Sequence, residues 1–298
     1  MIGVLLAVVS SVGFGTNIFF ARLGLQHMKS SSGVVISSIV AFTLVMIPAL
    51  ALYWKDVSGL TLVAFGWLAL VGSLHFGVGR LLNLTGVTLS GASRQSVLLA
   101  TVPLFSSFFA ITIGSERLTV PVILGTLAIT SGLIVASRGR TSKADKTNKA
   151  LNRAILLGNV MGLATAALYG FCVFLENRVV KEMVSPLVAS AFALMFGALF
   201  VTLLFNQSAA RDILRAPKKS WLFMALSGVG IAWGLTFMFF ALNRSQVVLV
   251  SPLLNISSLI TLGMSYLFLR QLEKVTVWLV IGSLMVIAGA AAITIGAA

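Results

Sequence analysis

Four polar side chains lie deep inside long apolar segments of this chain, where each needs a polar partner or a cavity. They are three asparagines and one histidine: Asn17, His75, Asn159 and Asn255. Because hydrocarbon penalises an unpaired polar group, such residues in a membrane protein commonly face a solute pathway. The alternative for each asparagine is a hydrogen bond between helices that holds the bundle together. Several asparagines together favour a polar cavity that binds a small solute.

His75 is the ionisable group nearest the middle of its segment, about 6 Å from the midpoint at the helical rise per residue. An imidazole exchanges a proton near neutral pH, so His75 is a candidate for proton coupling. The alternative is a neutral histidine that donates to a neighbouring carbonyl. Arg80 and Glu176 are predicted near the ends of their segments, where long side chains reach water. Arg80 remains a candidate to meet a solute carboxylate at the mouth of a cavity.

Two aromatic residues complete the predicted solute site. Tyr169 lies in a central segment, and Trp233 lies beside Gly234 in a glycine-rich segment that lets a neighbouring helix approach closely. No catalytic residue, metal ligand or cofactor is predicted, since Cys172 is the sole cysteine and the acidic residues are scattered. Substrate binding is predicted for seven residues: Asn17, His75, Arg80, Asn159, Tyr169, Trp233 and Asn255.

The elements that must position these residues are membrane-spanning helices. The 298 residues are 58% hydrophobic and only 9% charged, too little charge to cover the surface of a soluble protein. A helix needs about 20 apolar residues to cross a hydrocarbon layer of about 30 Å. By this measure the sequence predicts an all-α polytopic membrane protein with ten transmembrane helices, at 2–21, 33–53, 60–82, 92–113, 119–137, 154–176, 186–205, 220–242, 247–269 and 275–296.

Basic residues outnumber acidic ones by 21 to 7, and most lie in short connections between the predicted spans. There they orient the chain and meet anionic lipid headgroups, so lipid rather than nucleic acid is the expected partner. Alternating connections place fourteen basic residues on one face and five on the other. The positive-inside rule makes the richer face cytoplasmic. It therefore predicts a cytoplasmic linker at 138–153 and both termini outside, in a cell membrane (inner or plasma membrane).

The sequence repeats itself within these apolar segments. Residues 116–132 read ERLTVPVILGTLAITSG, and residues 273–289 read EKVTVWLVIGSLMVIAG, an offset of 157 residues. Gly77 and Gly234 match at the same offset. Similarity between apolar segments arises easily by chance, but the matched glutamates and threonines at the starts of these segments argue for a true duplication.

The repeat divides the chain into residues 1–137, with five spans, a basic linker at 138–153, and residues 154–298, with five more. An odd number of spans per repeat inserts the two halves from opposite sides of the membrane. This gives an inverted repeat with a pseudo-two-fold axis in the membrane plane. Many secondary transporters are built in this way, with the substrate site between the halves.

The corner Gly114-Ser-Glu-Arg-Leu-Thr119 resembles the G-E-R-L corner of the drug/metabolite transporter superfamily, and Leu272-Glu-Lys-Val-Thr276 is its second copy. Phe14-Gly15 and Tyr169-Gly170 lie where EamA-type members commonly have Trp-Gly. The whole chain resembles two EamA-type repeats. This resemblance implies a ten-helix transporter of a small metabolite, and the superfamily is said to move amino acids, sugars, nucleotide sugars and drugs.

Two features are interpreted as structural or mechanical rather than chemical. Glu116 and its repeat equivalent Glu273 are predicted to form helix-capping corners, because acidic residues favour helix N-termini. Pro103 and Pro252 lie inside predicted spans 4 and 9, where each removes a backbone hydrogen bond and permits a kink. Hinges at these prolines would suit a transporter that opens to each side in turn.

The sequence therefore predicts a secondary transporter, an exporter of a small neutral or zwitterionic metabolite that works by alternating access. No Walker motif is present, so ATP is not the predicted energy source. Two alternatives stay open: a membrane-embedded enzyme, which would need clustered catalytic groups, and a passive channel, which would need charged rings or a carbonyl filter. Proton exchange and facilitated diffusion also remain equal alternatives, and the oligomeric state is not readable.

Overall fold

The computed structural model of the protein describes residues 2–90, 95, 98–116, 119–136, 149–268 and 277–296. These residues form helices joined by short connections, and no strand occurs among them. The helices are α1 (Ile2–Gly24), α2 (Ser30–Leu52), α3 (Trp54–Ser58), α4 (Leu62–Gly72), a π-helix (Ser73–Gly79), α5 (Arg80–Ser90), α6 (Val102–Thr112), α7 (Val120–Ala136), α8 (Lys149–Glu182), α9 (Pro186–Arg215), α10 (Lys218–Arg244), α11 (Val247–Leu254), α12 (Ser257–Phe268) and α13 (Val277–Gly296).

Six stretches of the described residues are long and apolar enough to cross a bilayer: Ile2–Gly24, Ser31–Leu52, Leu62–Asn83, Arg153–Glu182, Pro186–Leu204 and Lys218–Arg244. Shorter apolar helices occupy Val102–Thr112, Val120–Val135, Val247–Thr261 and Leu284–Ile293. In chain order these segments follow the ten predicted spans, which are numbered 1 to 10 below. The prediction of an all-α polytopic membrane protein is confirmed.

Spans 4 and 9 are interrupted near their middle. In span 4 a turn at residues 100–101 precedes α6, and Pro103 lies in the first turn of that helix. In span 9 Pro252 lies in the last turn of α11, and a turn at residues 255–256 separates α11 from α12. The two turns are 155 residues apart (255 − 100), so the repeats share this interruption.

Span 3 contains a different irregularity. Between α4 and α5 the backbone widens into a π-helix of seven residues, Ser73–Gly79. Such segments are rare and occur frequently at functional sites, because the wider turn displaces side chains from the regular helical positions. His75 lies within this π-helix.

Close glycine contacts between spans 5 and 10 show how the two halves are related. A Cβ atom on Gly125 would lie 2.6 Å from the Gly289 carbonyl oxygen, and one on Gly132 would lie 2.8 Å from the Gly282 carbonyl oxygen. As one residue number rises the other falls, so the two spans run antiparallel. Gly125 and Gly132 are the repeat equivalents of Gly282 and Gly289, so each contact is the counterpart of the other. Equivalent helices that run in opposite directions are the signature of an inverted repeat.

The repeats interlock through pairs of helices drawn from both halves. Helix α1 (span 1) packs along α10 (span 8), and α5 and the π-helix (span 3) pack along α8 (span 6). At the first contact the Ser10 hydroxyl donates to the Gly234 carbonyl over 2.5 Å. The apolar core is continuous across the halves and includes Leu68 from the first and Phe239 from the second. Spans 3 and 6 therefore face each other across the interface between the repeats.

Candidate functional site

A histidine and a glutamate from different repeats meet in the apolar interior of the bundle. His75 lies in the π-helix of span 3, and Glu176 lies on α8, which forms span 6. The His75 Nδ1 atom is 2.6 Å from the Glu176 Oε1 atom. A hydrogen must lie between these two atoms, since two unprotonated acceptors do not approach to this distance. A neutral imidazole with its hydrogen on Nδ1 supplies it, and donates to the Glu176 carboxylate.

The position of Glu176 corrects the prediction that its carboxylate reaches water. Predicted span 6 ends at residue 176, but α8 continues to Glu182. Glu176 is 0% exposed, and its Oε2 atom has no hydrogen-bond partner among the described residues. The prediction is wrong because span length was judged by apolar content alone. No helix breaker occurs between Glu176 and Pro186, so residues 177–182 extend the same helix.

Two aromatic rings hold the imidazole in place. The His75 ring lies 4.6 Å from the Tyr169 ring and 4.4 Å from the nearly parallel Phe76 ring, between centroids. Gly79 lets Tyr169 approach, since a Cβ atom there would lie 2.5 Å from the phenol ring. The His75 side chain is only 12% exposed. This packing fixes the ring with its Nδ1 atom directed at Glu176.

Arg80 brings a positive charge to the same region. Its Nη2 atom donates to the Ser37 hydroxyl over 2.9 Å, which links span 3 to span 2, and the preceding Gly79 packs against the Tyr169 ring of span 6. Sequence reasoning missed Ser37 and Glu176 as members of this site. The group is called the inter-repeat polar cluster below, and consists of Ser37, His75, Arg80, Tyr169 and Glu176.

Two of the predicted asparagines make the interhelical hydrogen bonds that were their structural alternative. The Asn17 Oδ1 atom accepts from the Ser227 hydroxyl over 2.7 Å, between spans 1 and 8. The Asn255 amide donates to the Ala100 carbonyl over 3.0 Å, between the interruptions of spans 9 and 4. These bonds hold the halves together.

The remaining two predicted residues lie away from the cluster. Asn159 is partly buried on α8, about 15 Å along the helix axis from Tyr169 at the usual rise. Trp233 is 49% exposed, and its indole N–H donates to the Val9 carbonyl over 3.2 Å. Of the seven predicted residues, the structure thus brings together His75, Arg80 and Tyr169.

The Glu116 carboxylate caps a helix of the opposite repeat. Its Oε1 atom accepts from the Val247 N–H over 3.0 Å, and its Oε2 atom accepts from the Val248 N–H over 3.1 Å. These two amides open α11 and have no partner within that helix. Ser115, at φ 56°, turns the chain so that Glu116 reaches them. Glu116 therefore caps a helix, as predicted, and that helix is α11. Glu273 lies outside the described residues.

Asp212 caps α2 at the end of the bundle that carries more basic residues. The Asp212 Oδ2 atom accepts from the Ser32 hydroxyl over 2.6 Å and from the Lys29 N–H over 3.0 Å, at the start of α2. The hydrogen bond from Ser32, with that from Lys29, lowers the pKa of Asp212 from its usual value. Asp212 follows the apolar part of α9, outside the membrane-spanning segment.

Two cavities open at the less basic end of the bundle. The larger, of about 530 Å³, is lined by residues of both repeats, including Lys55, Leu60, Val180 and Lys181. The smaller, of about 330 Å³, includes Asn177 in its wall. Val180 lies four residues, or about 6 Å, beyond Glu176 along α8. The cavity walls therefore reach within one helical turn of the inter-repeat polar cluster.

The arrangement offers acid–base and ionic chemistry rather than metal binding. No group of three or more His, Cys, Asp or Glu side chains converges in the part of the chain that the structure describes. The cluster instead combines one cationic, one acidic and one titratable neutral group in an apolar environment, where each interaction is stronger than in water.

The fold and the duplicated architecture agree with a comparison against protein families. A model of the EamA-like transporter family matches residues 1–138 and again residues 156–295. The chain belongs to the EamA-like transporter family. This family is part of the drug/metabolite transporter superfamily, and its members are membrane transporters. The resemblance predicted from the sequence is confirmed.

The likeness of this EamA-like protein to a solved structure concerns the fold alone. One crystal structure superposes with a TM-score of 0.74, covering 99% of this chain and 97% of its own, at 17% sequence identity. No curated protein matches the chain. The identity of the transported solute must therefore be argued from the residues of this chain.

Proposed function

We propose that this EamA-like protein is a secondary transporter that exports a small neutral or zwitterionic metabolite, amino-acid-like or drug-like, by alternating access. The observation that carries the proposal is the contact of His75, in the first repeat, with Glu176, in the second. Inverted-repeat transporters bind their substrates near the midplane, where the repeats meet. A site at this contact changes whenever one repeat moves against the other, as alternating access requires.

The charges of the inter-repeat polar cluster limit the class of solute. Arg80 and Glu176 carry opposite formal charges, so the cluster attracts neither a polyanion nor a polycation strongly. A zwitterion presents one group of each sign, and a neutral polar solute presents hydrogen-bonding groups without a charge. Either suits a site in which fixed charges are few and already balanced.

The surroundings of the cluster support a pathway and moving parts. The two cavities at the less basic end approach Glu176 to within a helical turn. Spans 4 and 9 are discontinuous at equivalent places, and discontinuous helices commonly form the binding sites of such transporters. The Asn255–Ala100 hydrogen bond joins the two interruptions, so they can change together.

A ligand screen followed by transport measurements tests this proposal. A transported solute binds the native state and raises its melting temperature in detergent. Neutral and zwitterionic metabolites should stabilise the purified protein, whereas nucleotides should not. A solute found in this way should be taken up into proteoliposomes in exchange for the same unlabelled solute. Outward movement is tested by loading inside-out membrane vesicles.

A pair of arginine substitutions locates the site. Arg80→Gln should abolish the stabilisation and the exchange, because it removes the cationic group of the cluster. Arg211→Gln is the matched control, since Arg211 is exposed on α9 beyond its apolar part and lines neither cavity. Preferential stabilisation by a polyphosphate, or chemical conversion of the solute without net flux, would contradict the proposal.

A further inference from the structure

We propose that the corner between α9 and α10 is a binding surface for the headgroups of anionic phospholipids. This surface is called the basic corner below, and consists of Leu214, Arg215, Lys218 and Lys219. Its ligands are the phosphate groups of the membrane leaflet at the end of the bundle that carries more basic residues. Binding there requires no assumption about the transported solute.

The basic corner lies at the level of the lipid headgroups. The apolar part of α9 ends at Leu204, and the helix continues to Arg215. Helix α10 then begins at Lys218, and the exposed apolar side chains of Trp221 and Leu222 follow at once. A tryptophan at the start of a span is typical of the interface between water and hydrocarbon. Lys218 precedes Trp221 by three residues, about 5 Å along the helix, and therefore reaches the headgroup layer.

The cations of the basic corner are available to a ligand from outside the protein. The side chains of Arg215, Lys218 and Lys219 are exposed. Within the part of the chain that the structure describes, no ion pair or hydrogen bond engages them. Three positive charges on one corner attract an anionic membrane surface, and each adds to the binding.

The acidic residue of this region is turned away from the cations of the corner. Asp212 is the one acidic residue between positions 205 and 221. Its Oδ2 atom accepts from the Ser32 hydroxyl over 2.6 Å and from the Lys29 N–H over 3.0 Å, both at the start of α2. The corner therefore presents its positive charges outward while its negative charge is used as a helix cap.

An exposed leucine distinguishes the basic corner from a set of solvated charges. Leu214 is 85% exposed, although it lies beyond the apolar part of α9, and it stands beside Arg215. Segments that bind a membrane surface combine cations with apolar side chains, which enter the boundary between headgroups and acyl chains. A phospholipid supplies both a negative phosphate for the cations and hydrocarbon for the leucine.

Contacts on its inner side hold the corner in place. The Trp221 indole N–H donates to the Ile213 carbonyl over 2.9 Å, which ties the start of α10 to the last turn of α9. Ile213 also packs against the buried Met28 and Met224. Lipid binding to a corner that is already ordered costs little conformational entropy.

The basic corner also adjoins a contact between the two repeats. Lys29 belongs to the first repeat, and its N–H meets Asp212 of the second. The Lys29 side chain is exposed, so it adds a cation of the first repeat beside those of the corner. An anionic lipid bound here favours the conformation in which this contact is closed, because it binds that conformation better. It should therefore stabilise the folded protein.

Thermal unfolding in mixed micelles tests this surface, with phosphatidylglycerol as the anionic probe and phosphatidylcholine as the zwitterionic reference. Phosphatidylglycerol should raise the melting temperature more than phosphatidylcholine does, because it binds the native state. Added salt should reduce this difference, since salt screens the attraction between the charges. For each variant the difference between the two lipids is compared, so that a change in intrinsic stability cancels.

Charge substitutions locate the response. Each of Arg215→Gln, Lys218→Gln and Lys219→Gln should raise the phosphatidylglycerol concentration for half-maximal stabilisation about fivefold. The triple variant should raise it by about a hundredfold. The single variants serve where the triple variant does not unfold cooperatively.

A matched triple variant removes three exposed cations from the opposite end of the bundle and should keep the native response: Lys55→Gln, Lys181→Gln and Arg244→Gln. Leu214→Gln changes no charge and should still weaken the response to phosphatidylglycerol, because the leucine no longer enters hydrocarbon. Glycerol phosphate, which has the charge without acyl chains, should not reproduce the effect of the lipid.

Three results would overturn the inference. The first is equal stabilisation of the native protein by the two lipids. The second is an equal loss of response in the two triple variants, which would mean a general attraction between the charges. The third is an equal response to glycerol phosphate or to polyglutamate, which would assign the corner to a soluble anion or an acidic protein. None of these results bears on solute exchange, so the proposed function would stand in each case.

Discussion

Two regions of this protein use a glutamate in opposite ways. At the corner before span 5, both oxygens of Glu116 accept from backbone N–H groups of α11, which cannot lose their protons. In the inter-repeat polar cluster, Glu176 has one partner, the titratable His75 ring, and one unpartnered oxygen. A carboxylate with fixed donors holds a structure in place. One with an unpartnered oxygen still has an acceptor to offer, and is suited to a working site.

The largest effect is expected from Glu176→Gln, which tests whether the Glu176 carboxylate takes part in transport. The amide carries no charge and makes a weaker hydrogen bond with His75, so exchange of the stabilising solute should fall by about tenfold to a hundredfold, as expected when a charge-assisted hydrogen bond of about 1.5–3 kcal/mol is lost. The same hydrogen bond stabilises the fold, so the melting temperature should fall as well, and exchange is compared per folded molecule. Exchange in proteoliposomes measures the first effect, with Glu182→Gln as the control. Undiminished exchange would place the working site elsewhere.

The next largest effect is expected from Glu116→Ala, which should lower stability and spare transport. Loss of the cap leaves two amides of α11 without acceptors and should cost about 1–3 kcal/mol. Thermal unfolding in detergent measures this loss. Glu116→Gln keeps one acceptor oxygen and should fall between the alanine variant and the native protein. If the folded alanine variant lost exchange completely, the corner would have to be assigned a part in transport.

A smaller, pH-dependent effect is expected from Asp212→Asn. The pKa of Asp212 is lowered in the folded protein, mainly by the hydrogen bond from Ser32. A lowered pKa means that the stabilisation is fully present above the unfolded value, and is lost as the pH falls through the folded one. The native protein should thus melt above Asp212→Asn at neutral pH, and the difference should shrink as the pH falls below about 4, the usual value for an aspartate. Ser32→Ala should reduce the difference, and a difference that grew in acid would refute this account.

The smallest effect is expected at Ser115, whose φ of 56° lies in the region that favours glycine. Ser115→Gly should raise the stability of the Glu116 corner by roughly 0.5–1 kcal/mol, because it removes the steric cost of the side chain there. Ser115→Ala should bring no such gain. Thermal unfolding distinguishes them, and exchange should be equal in both. Loss of stability in the glycine variant would mean that the Ser115 side chain itself supports the corner.

The seven predicted site residues show why sequence reasoning located only part of the site. His75 was found because an ionisable group within an apolar segment is conspicuous. Glu176 was missed because it stands at the edge of its apolar segment, and apolar length alone could not tell that α8 continues to Glu182. The sequence also treated Asn17 and Asn255 as equal candidates. Their partners, Ser227 and Ala100, are more than 150 residues away and became visible only in the folded chain.

The helical spans, the duplication and the membrane setting were determined by the sequence by itself, because they follow from local composition and from matches such as Gly125 with Gly282. Proline positions likewise marked where spans 4 and 9 are interrupted. Only the tertiary structure decided that a π-helix directs His75 toward Glu176, and that Glu116 caps a helix of the opposite repeat. Both contacts join residues of different halves. Their strength depends on burial and exact distance, which no local pattern of residues encodes.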